Sequence, residues 1–382
     1  MNTHPQIALL IETSNAYARG LLRGIRAYVR EHRPWSLYLS EHNRGDKPPG
    51  WLRTWKGDGL IARIENPVIA EALRPLKVPI VDVSAARLLP ALPWFETDDA
   101  AIASLAAEHL SERGFKNFAY CGDRRFNWSN WRCEHFHNFA RATGRSCLVY
   151  SPARNFALGD EGQVTDIANW IRGLPKPVGV MACYDLRGQQ VLDACRQIGV
   201  AVPDDVAVIG VDNDEILCEL STPPLSSVIP NTHRTGYEAA ALLDGMMSGQ
   251  KVTGETHLIP PLGIAIRQST DTLAIDDRKV ARAVHYIRHH ACDGINVQDV
   301  LKAVPHSRRL LESQFKKIIG RTPHEEILRV QLNRVKQLLT ETALSLEDIA
   351  ERSGFAHVEY LSVVFKREVG MPPSKFRLLH RP

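Results

Sequence analysis

The sequence predicts a two-lobed α/β ligand domain followed by an all-α domain with two helix-turn-helix motifs. Three observations predict it. Residues 6 to 270 alternate short apolar runs with amphipathic stretches, the pattern of parallel sheets covered by helices. Roughly the last hundred residues hold two similar helix-turn-helix patterns about fifty positions apart. The charge divides at the same boundary: from Asp276 onward there are 19 Lys and Arg against 13 Asp and Glu, a net +6, and the residues before it hold 28 against 30, a net −2. A neutral domain fused to one that binds a polyanion has this distribution.

At 382 residues the chain is long enough for two or three domains, and 44% hydrophobic with 24% charged residues is ordinary for a soluble globular protein. Seven scattered cysteines without any C-x-x-C read as reduced thiols of a cytosolic protein. The opening M-N-T-H-P-Q lacks the basic region and apolar run of a signal peptide, and no stretch reaches the ~18 apolar residues of a membrane span. The expectation is a cytoplasmic protein with no membrane partner. Fifteen histidines show no H-E-x-x-H spacing, so neither a metal nor a cofactor is expected. The absence of a G-x-S-x-G elbow argues against an enzyme.

In chain order, strand-like runs stand at 7–11, 59–62, 80–83, 118–121, 179–182 and 206–211. Helical patterns stand at 17–30, 69–74, 100–113, 131–142, 164–172 and 189–198. Periodicity alone also permits a nucleotide-binding enzyme. However, I-E-T-S-N-A-Y-A follows the first strand where a G-x-G-x-x-G would be needed, and no G-x-x-x-x-G-K-[ST] occurs. Residues 271–279, T-D-T-L-A-I-D-D-R, have no strong pattern and form the expected linker.

In the tail, Leu346, Ile349, Ala350, Phe355, Leu361 and Phe365 repeat at helical spacing on either side of Gly354. That spacing requires two short helices across a tight turn, with Gly supplying a left-handed residue where the first must end. An earlier copy, 297–320, matches the later one, 346–370: Val300 answers to Ile349, Phe315 to Phe365, Gly320 to Gly370 and Pro323 to Pro373. Between them Ile327, Val330, Leu332, Val335, Leu338 and Leu339 mark a helix from Pro323 to Glu341. Roughly nineteen residues make a strut about 28 Å long. Successive major-groove faces lie about 34 Å apart, so this strut suits two recognition helices in adjacent grooves.

These residues resemble the DNA-binding domain of the AraC/XylS family, whose signature is close to G-F…Y-L…F-K-R…G…P…F-R here. Upstream, T-D-D-A-A-I-A-S-L-A-A-E-H-L-S-E-R-G-F-K-N-F-A-Y, V-P-D-D-V-A-V-I-G-V-D-N-D-E, P-P-L-S-S-V-I and I-R-Q-S-T occur in the order of LacI/GalR-type ligand domains. Those resemble type I periplasmic sugar-binding proteins, which implies a periplasmic-binding-protein-like domain of two α/β lobes clasping a small molecule. The resemblance implies a ligand domain over 1–270, with lobe one at about 6–122 plus 232–247 and lobe two at about 123–227 plus 253–270. The DNA-binding domain follows over 280–382. The combination is that of xylose-operon regulators, to which A-V-H-Y-I-R-H-H-A-C-D-G-I-N-V is also similar.

Ligands in such lobes sit at the carboxyl ends of strands. A sugar offers hydroxyls to carboxylates and guanidiniums, and a ring face to aromatics. Candidates at strand ends are Glu12, Asp185, Asp212 and Asn213, with Trp128, Trp131 and Arg132 from W-S-N-W-R. By resemblance Arg132 and Asp212 are the polar clamps. Each has a plain alternative as a helix cap, a surface ion pair or core.

For DNA, the first recognition helix begins near Ser307, a suitable N-cap, and exposes Arg308, Arg309, Glu312, Ser313 and Lys316. The second carries His357, Val358, Glu359, Ser362, Val363 and Lys366 on its outer side. Arginine suits guanine edges, lysine and serine grip phosphate, and Val363 suits a thymine methyl. The first turn departs from the family pattern, because Pro305-His306 replaces Gly and an aliphatic residue and proline cannot supply positive φ. Gln314 stands where the family often has a basic residue.

The resulting expectation is a sugar-responsive regulator, an activator partnered by a double-stranded DNA operator, D-xylose or a related pentose, and RNA polymerase. The resemblance adds a homodimer. Two rivals remain open on sequence grounds: a sugar-processing or repair enzyme with a DNA-binding tail, and a constitutive DNA-binding protein with a vestigial pocket.

Overall fold

Apolar β-branched runs bounded by polar residues set the strands, and Asn, Asp, Thr or Ser caps start many of the helices. The computed structural model describes residues 4–41, 46–152, 162–252, 254–271, 277–305, 307–342 and 344–380. The chain forms two units, Met1–Thr272 and Leu273–Pro382. Residues 272–276 of the expected linker and His306 lie outside the described residues.

In the first unit, β1 (Gln6–Leu10), α1 (Ala16–Glu31), β2 (Ser36–Leu39), β3 (Gly59–Ala62), α2 (Pro67–Leu73), β4 (Ile80–Asp82) and β5 (Trp94–Thr97) begin one lobe. The chain then crosses over and builds α3 (Asp99–Glu112), β6 (Asn117–Cys121), α4 (Asn127–Ala142), β7 (Ser146–Val149) and α5 (Gly162–Arg172). The same lobe continues with β8 (Val178–Ala182), α6 (Asp185–Gln197), β9 (Val206–Val211), α7 (Glu215–Leu220) and β10 (Ser226–Ile229). The chain returns for α8 (Thr232–Met247) and β11 (Thr256–Ile259), then crosses a third time into β12 (Gly263–Ala265).

The first sheet runs β11-β5-β4-β3-β1-β2, every pair parallel. The second runs β12-β10-β9-β8-β6-β7, parallel except for β12. Strand order reverses between β1 and β3 and again between β6 and β8, so each sheet has a switch point where ligands are held beyond the carboxyl ends.

Two expected lobe boundaries need correction. β6 was assigned to the first lobe but pairs with β7 and β8, and its Ala119 and Cys121 join the core of the second; α3 packs there too, against α4. β11 was assigned to the second lobe but pairs with β5. The crossovers at Asp98 and at 260–262 are too short to leave a compositional mark, so the first boundary was displaced by about one helix and strand. The helix expected at 131–142 starts at Asn127.

α8 seals the first lobe by lying against α1 at backbone distance. A Cβ on Gly24 would stand 2.0 Å from the carbonyl oxygen of His233, and one on Gly236 would stand 2.0 Å from that of Leu21. Only glycine permits this approach.

The second unit is all helix: α9 (Arg278–His290), α10 (Val297–Ala303), α11 (Arg308–Ile319), α12 (Pro323–Glu341), α13 (Leu346–Arg352), α14 (Val358–Val369) and α15 (Pro373–His380). Asn296, Thr322 and Ser345 open α10, α12 and α13 with reciprocal capping boxes. Gly320 and Gly370 end α11 and α14 in the left-handed region. The long helix α12 serves both motifs. Its Ile327 joins Val300, Leu311 and Phe315 in one core, while Leu332, Val335 and Leu339 join Ile349, Leu361 and Phe365 in the other. Val358, expected on the outer side of α14, packs partly against this second core, because the first turn lies beside Phe355. Among the described residues no helix is long and apolar enough to cross a membrane, and the seven cysteines are free thiols.

Candidate functional site

The carboxyl ends of both sheets converge on a cavity of about 220 Å³, below the roughly 300–1,000 Å³ of pockets for drug-sized ligands. One sugar ring suits it better than a disaccharide. Tyr17 of α1, Arg63 after β3 and Glu96 of β5 line it from the first lobe. Trp128 and Arg132 of α4, Tyr184 after β8 and Asp212 after β9 line it from the second.

Arg132 is only 3% exposed. Its Nε donates to Asp99 Oδ1 at 2.6 Å and its Nη1 to the carbonyl of Cys183 at 2.7 Å, while the guanidinium lies 5.0 Å from the Trp128 ring centroid. Burial alone would lower its pKa, but Asp99 and Asp212 more than offset this, so it stays charged. Trp128 in turn stacks on Phe126 and meets Tyr184 edge-on. The result is an aromatic wall beside a fixed cation, which suits a ring face and its hydroxyls.

Asp212 and Asn213 both have positive φ, 107° and 47°, a conformation that costs a non-glycine residue about 1–3 kcal/mol. Three consecutive amides are tied down to hold it. Asp212 N donates to the Val228 carbonyl at 3.1 Å, Asn213 N to Ser227 Oγ at 3.0 Å, and Asp214 N to Asp185 Oδ2 at 2.7 Å. This strained corner gives Asp212 its place in the cavity wall.

Of the residues singled out in the sequence, Trp128, Arg132 and Asp212 line the cavity. The others stand behind or beside it. Asp185 is buried and accepts from Ser227 Oγ at 2.6 Å as well as from Asp214 N; burial and the nearby Asp212 raise its pKa. It therefore braces the Asp212 corner. Glu12 is paired with Arg63 and accepts from Asn15 at 3.1 Å, so it orients the cation. Asn213 accepts from Arg267 at 2.9 Å. Trp131 stacks under Arg87, whose other face covers Trp94.

Sequence reasoning missed Tyr17, Arg63, Glu96 and Tyr184. Arg63 and Tyr184 could have been found, because each lies one or two residues past a run read as a strand. Glu96 gave no such signal, since W-F-E-T was not recognised as a strand.

α3 runs away from this site. Asp99 in its first turn holds Arg132. Toward its far end, His109, about 15 Å along the axis, brings Nε2 to 2.9 Å from Thr270 Oγ1, and Arg113, about 21 Å along, donates from Nε to the Thr270 carbonyl at 2.7 Å. Thr270 Oγ1 also donates to Ser226 at 2.7 Å. Burial and Arg113 push His109 down to about 4, so it is neutral at pH 7.

In the second unit Ser307 caps α11, accepting from Leu310 N at 3.4 Å. Arg308, Arg309, Ser313 and Lys316 are exposed and Glu312 is half-buried; Arg308 Nε donates to Glu312 at 2.9 Å. His357 caps α14 without a side-chain bond. Val363 is 66% exposed, Lys366 is exposed and Ser362 is half-buried along one side of that helix. Glu359 instead shares a groove with Glu347 and Glu351, where three carboxylates repel phosphate. Ser362, Val363 and Lys366 lie outside that groove. The sequence missed Tyr360, half-exposed on the same helix.

Comparison with known proteins follows this division. Residues 6–100 match the family described as XylR N-terminal domain, 107–270 a periplasmic binding protein-like domain, and 300–378 a helix-turn-helix domain. The chain is 32% identical over 381 residues to the xylose operon regulatory protein of Haemophilus influenzae, covering 98% of each. It is 32% identical over 382 residues to the xylose operon regulatory protein of Escherichia coli K12, covering 97% of this chain and 96% of that one. A solved structure described as a xylose-binding transcription activator superposes with a TM-score of 0.82 at 31% identity, over the whole of both chains.

Proposed function

The chain belongs to the family of xylose operon regulatory proteins, and we propose that it is an activator whose two lobes close on D-xylose or a related pentose to control operator binding. The observation that carries the reading is the cavity itself, walled from both lobes by aromatic rings and fixed charges. A ligand that contacts both walls binds the closed form more tightly, and it shifts the equilibrium only by that difference.

α3 supports a route from the sugar to the DNA-binding unit. Asp99 at one end answers to the clamp residue Arg132, and His109 and Arg113 at the other hold Thr270, two residues before the first unit ends. A shift of Arg132 on closure would move this helix and the chain leaving it. In the proposed homodimer, four recognition helices then engage two half-sites in the cytoplasm and present RNA polymerase with an ordered activator. Arg308, Arg309 and Val363 are the proposed base readers; Ser307, Lys316, Ser362 and Lys366 grip phosphate.

The test is calorimetric titration of the full chain with D-xylose, L-arabinose, D-glucose and D-ribose. Selective binding of D-xylose is expected. Equal heats from all four, or none, would contradict a pentose sensor, and a cavity that binds nothing would favour a constitutive regulator.

A further inference from the structure

We propose that Glu96 is the residue that reads the sugar's hydroxyl pattern, its two carboxylate oxygens accepting from adjacent hydroxyls of a neutral polyol. The inference rests on the sugar reading of the cleft. Glu96 is the penultimate residue of β5, two residues before the crossover at Asp98, lines the cavity and is 4% exposed. Neither of its oxygens has a hydrogen-bond partner among the described residues. A buried acceptor left in this state is costly, and such groups in native proteins ordinarily find a partner.

The surrounding cations are already engaged. Arg87, held against the rings of Trp94 and Trp131, ion-pairs with Glu96 Oε2 at 3.5 Å, longer than an ordinary hydrogen bond, so it offsets the charge of the carboxylate and leaves its acceptor sites open. Arg63 is paired with Glu12 and Glu65, and Arg132 with Asp99 and the Cys183 carbonyl. Asp99 Oδ2 is a second buried acceptor without a hydrogen bond. Acidic groups therefore crowd this wall of the cavity, and Asp99 and Asp212 beside Glu96 make it inhospitable to a sugar phosphate or sugar acid. A vicinal diol supplies two donors at the spacing of two carboxylate oxygens, without charge.

Titration gives this geometry a second signature. Burial and Asp99 push Glu96 up to about 8, with Arg87 and Arg132 opposing; Tyr17, buried on α1, also faces it. At pH 7 the free protein thus holds Glu96 mostly protonated. Two hydroxyl donors favour the ionised form and lower the pKa in the complex. Binding then releases a proton, and affinity climbs as pH rises from 6 to 8 and levels off above the pKa of the free protein.

The experiment is calorimetry of the full chain and of Glu96→Gln with D-xylose, at pH 7 in two buffers of different ionisation heat, then with 2-, 3- and 4-deoxy-D-xylose. The expected result is net proton release in the wild type and none in Glu96→Gln, with affinity reduced about 10–100-fold. Deoxy sugars lacking one of two adjacent hydroxyls should lose affinity in the wild type and lose little more in the variant. Glutamine is an uncharged isostere of the protonated acid, so the variant should fold, as its melting temperature would record. Unchanged affinity and deoxy profile in Glu96→Gln, proton uptake, or tighter binding of 2-amino-2-deoxy-D-xylose would overturn the proposal. No heat from the wild type with D-xylose would instead remove the sugar reading, and this proposal with it.

Discussion

Asp212→Asn is expected to weaken sugar binding by about 10–150-fold, the range set by roughly 1.5–3 kcal/mol for a hydrogen bond to a charged group. The fold should not suffer. Asn adopts positive φ more readily than most residues, so the corner at φ 107° can persist, and the three amide bonds that fix it do not use the Asp212 side chain. Removing the charge also relieves Asp185, whose pKa is raised by burial and by Asp212. An acid whose folded pKa lies above its unfolded one destabilises the protein as pH rises through that interval, and the penalty is fully present at higher pH. Asp212→Asn should therefore melt no lower than wild type above neutral pH. Calorimetry and thermal melting check both halves; a large loss of stability with unchanged sugar affinity would make Asp212 a structural residue.

Gly354→Ala is expected to cost the second unit about 2–4 kcal/mol and to abolish tight operator binding, with sugar heats unchanged. Gly354 sits at φ +77°, and a Cβ there would stand 2.6 Å from the Ala291 carbonyl oxygen and 2.9 Å from the carbonyl carbon of Cys292. Both obstacles are backbone and cannot rotate away. The left-handed conformation alone costs a Cβ-bearing residue roughly 1–2 kcal/mol. The contact also joins the two halves of the DNA-binding unit: Gln331 of α12 donates to the carbonyls of Ala291 at 2.9 Å and Gly354 at 3.1 Å. Operator binding measured beside the sugar titration checks the result. A variant that binds operator normally would mean that this joint does not hold the second motif in register.

The two helix-turn-helix motifs were legible because short helices must bury a stripe, and Ile349, Leu361 and Phe365 can do so only across a glycine turn. The first motif's turn was less so. Val304 ends α10 without positive φ, and Pro305 follows where the second motif has Gly354. In the ligand domain, central strands such as β8 and β9 announce themselves as unbroken apolar runs because both faces are covered. Edge strands β2 and β7 leave Leu37, Leu39, Leu148 and Val149 exposed, and each is a four-residue strand opening on serine, a much shorter apolar signal.

Cavity-lining residues were legible where they follow a visible strand, as Asp212 does, or stand in a phrase that carries the resemblance, as Trp128 and Arg132 do in W-S-N-W-R at the start of α4. Glu96 was not, because β5 is four residues ending in two polar ones. Asp185 was found but in another role, since its distance from the cavity depends on the turn taken by 212–214, which local sequence does not encode.

The measurement that tests the central claim most directly is operator affinity of the full chain, for a DNA fragment it selects from a random-sequence pool, titrated with D-xylose at fixed salt. The account predicts that affinity or footprint changes with a midpoint that follows the calorimetric sugar affinity. Operator binding that ignores D-xylose while the sugar fills the cleft would contradict it.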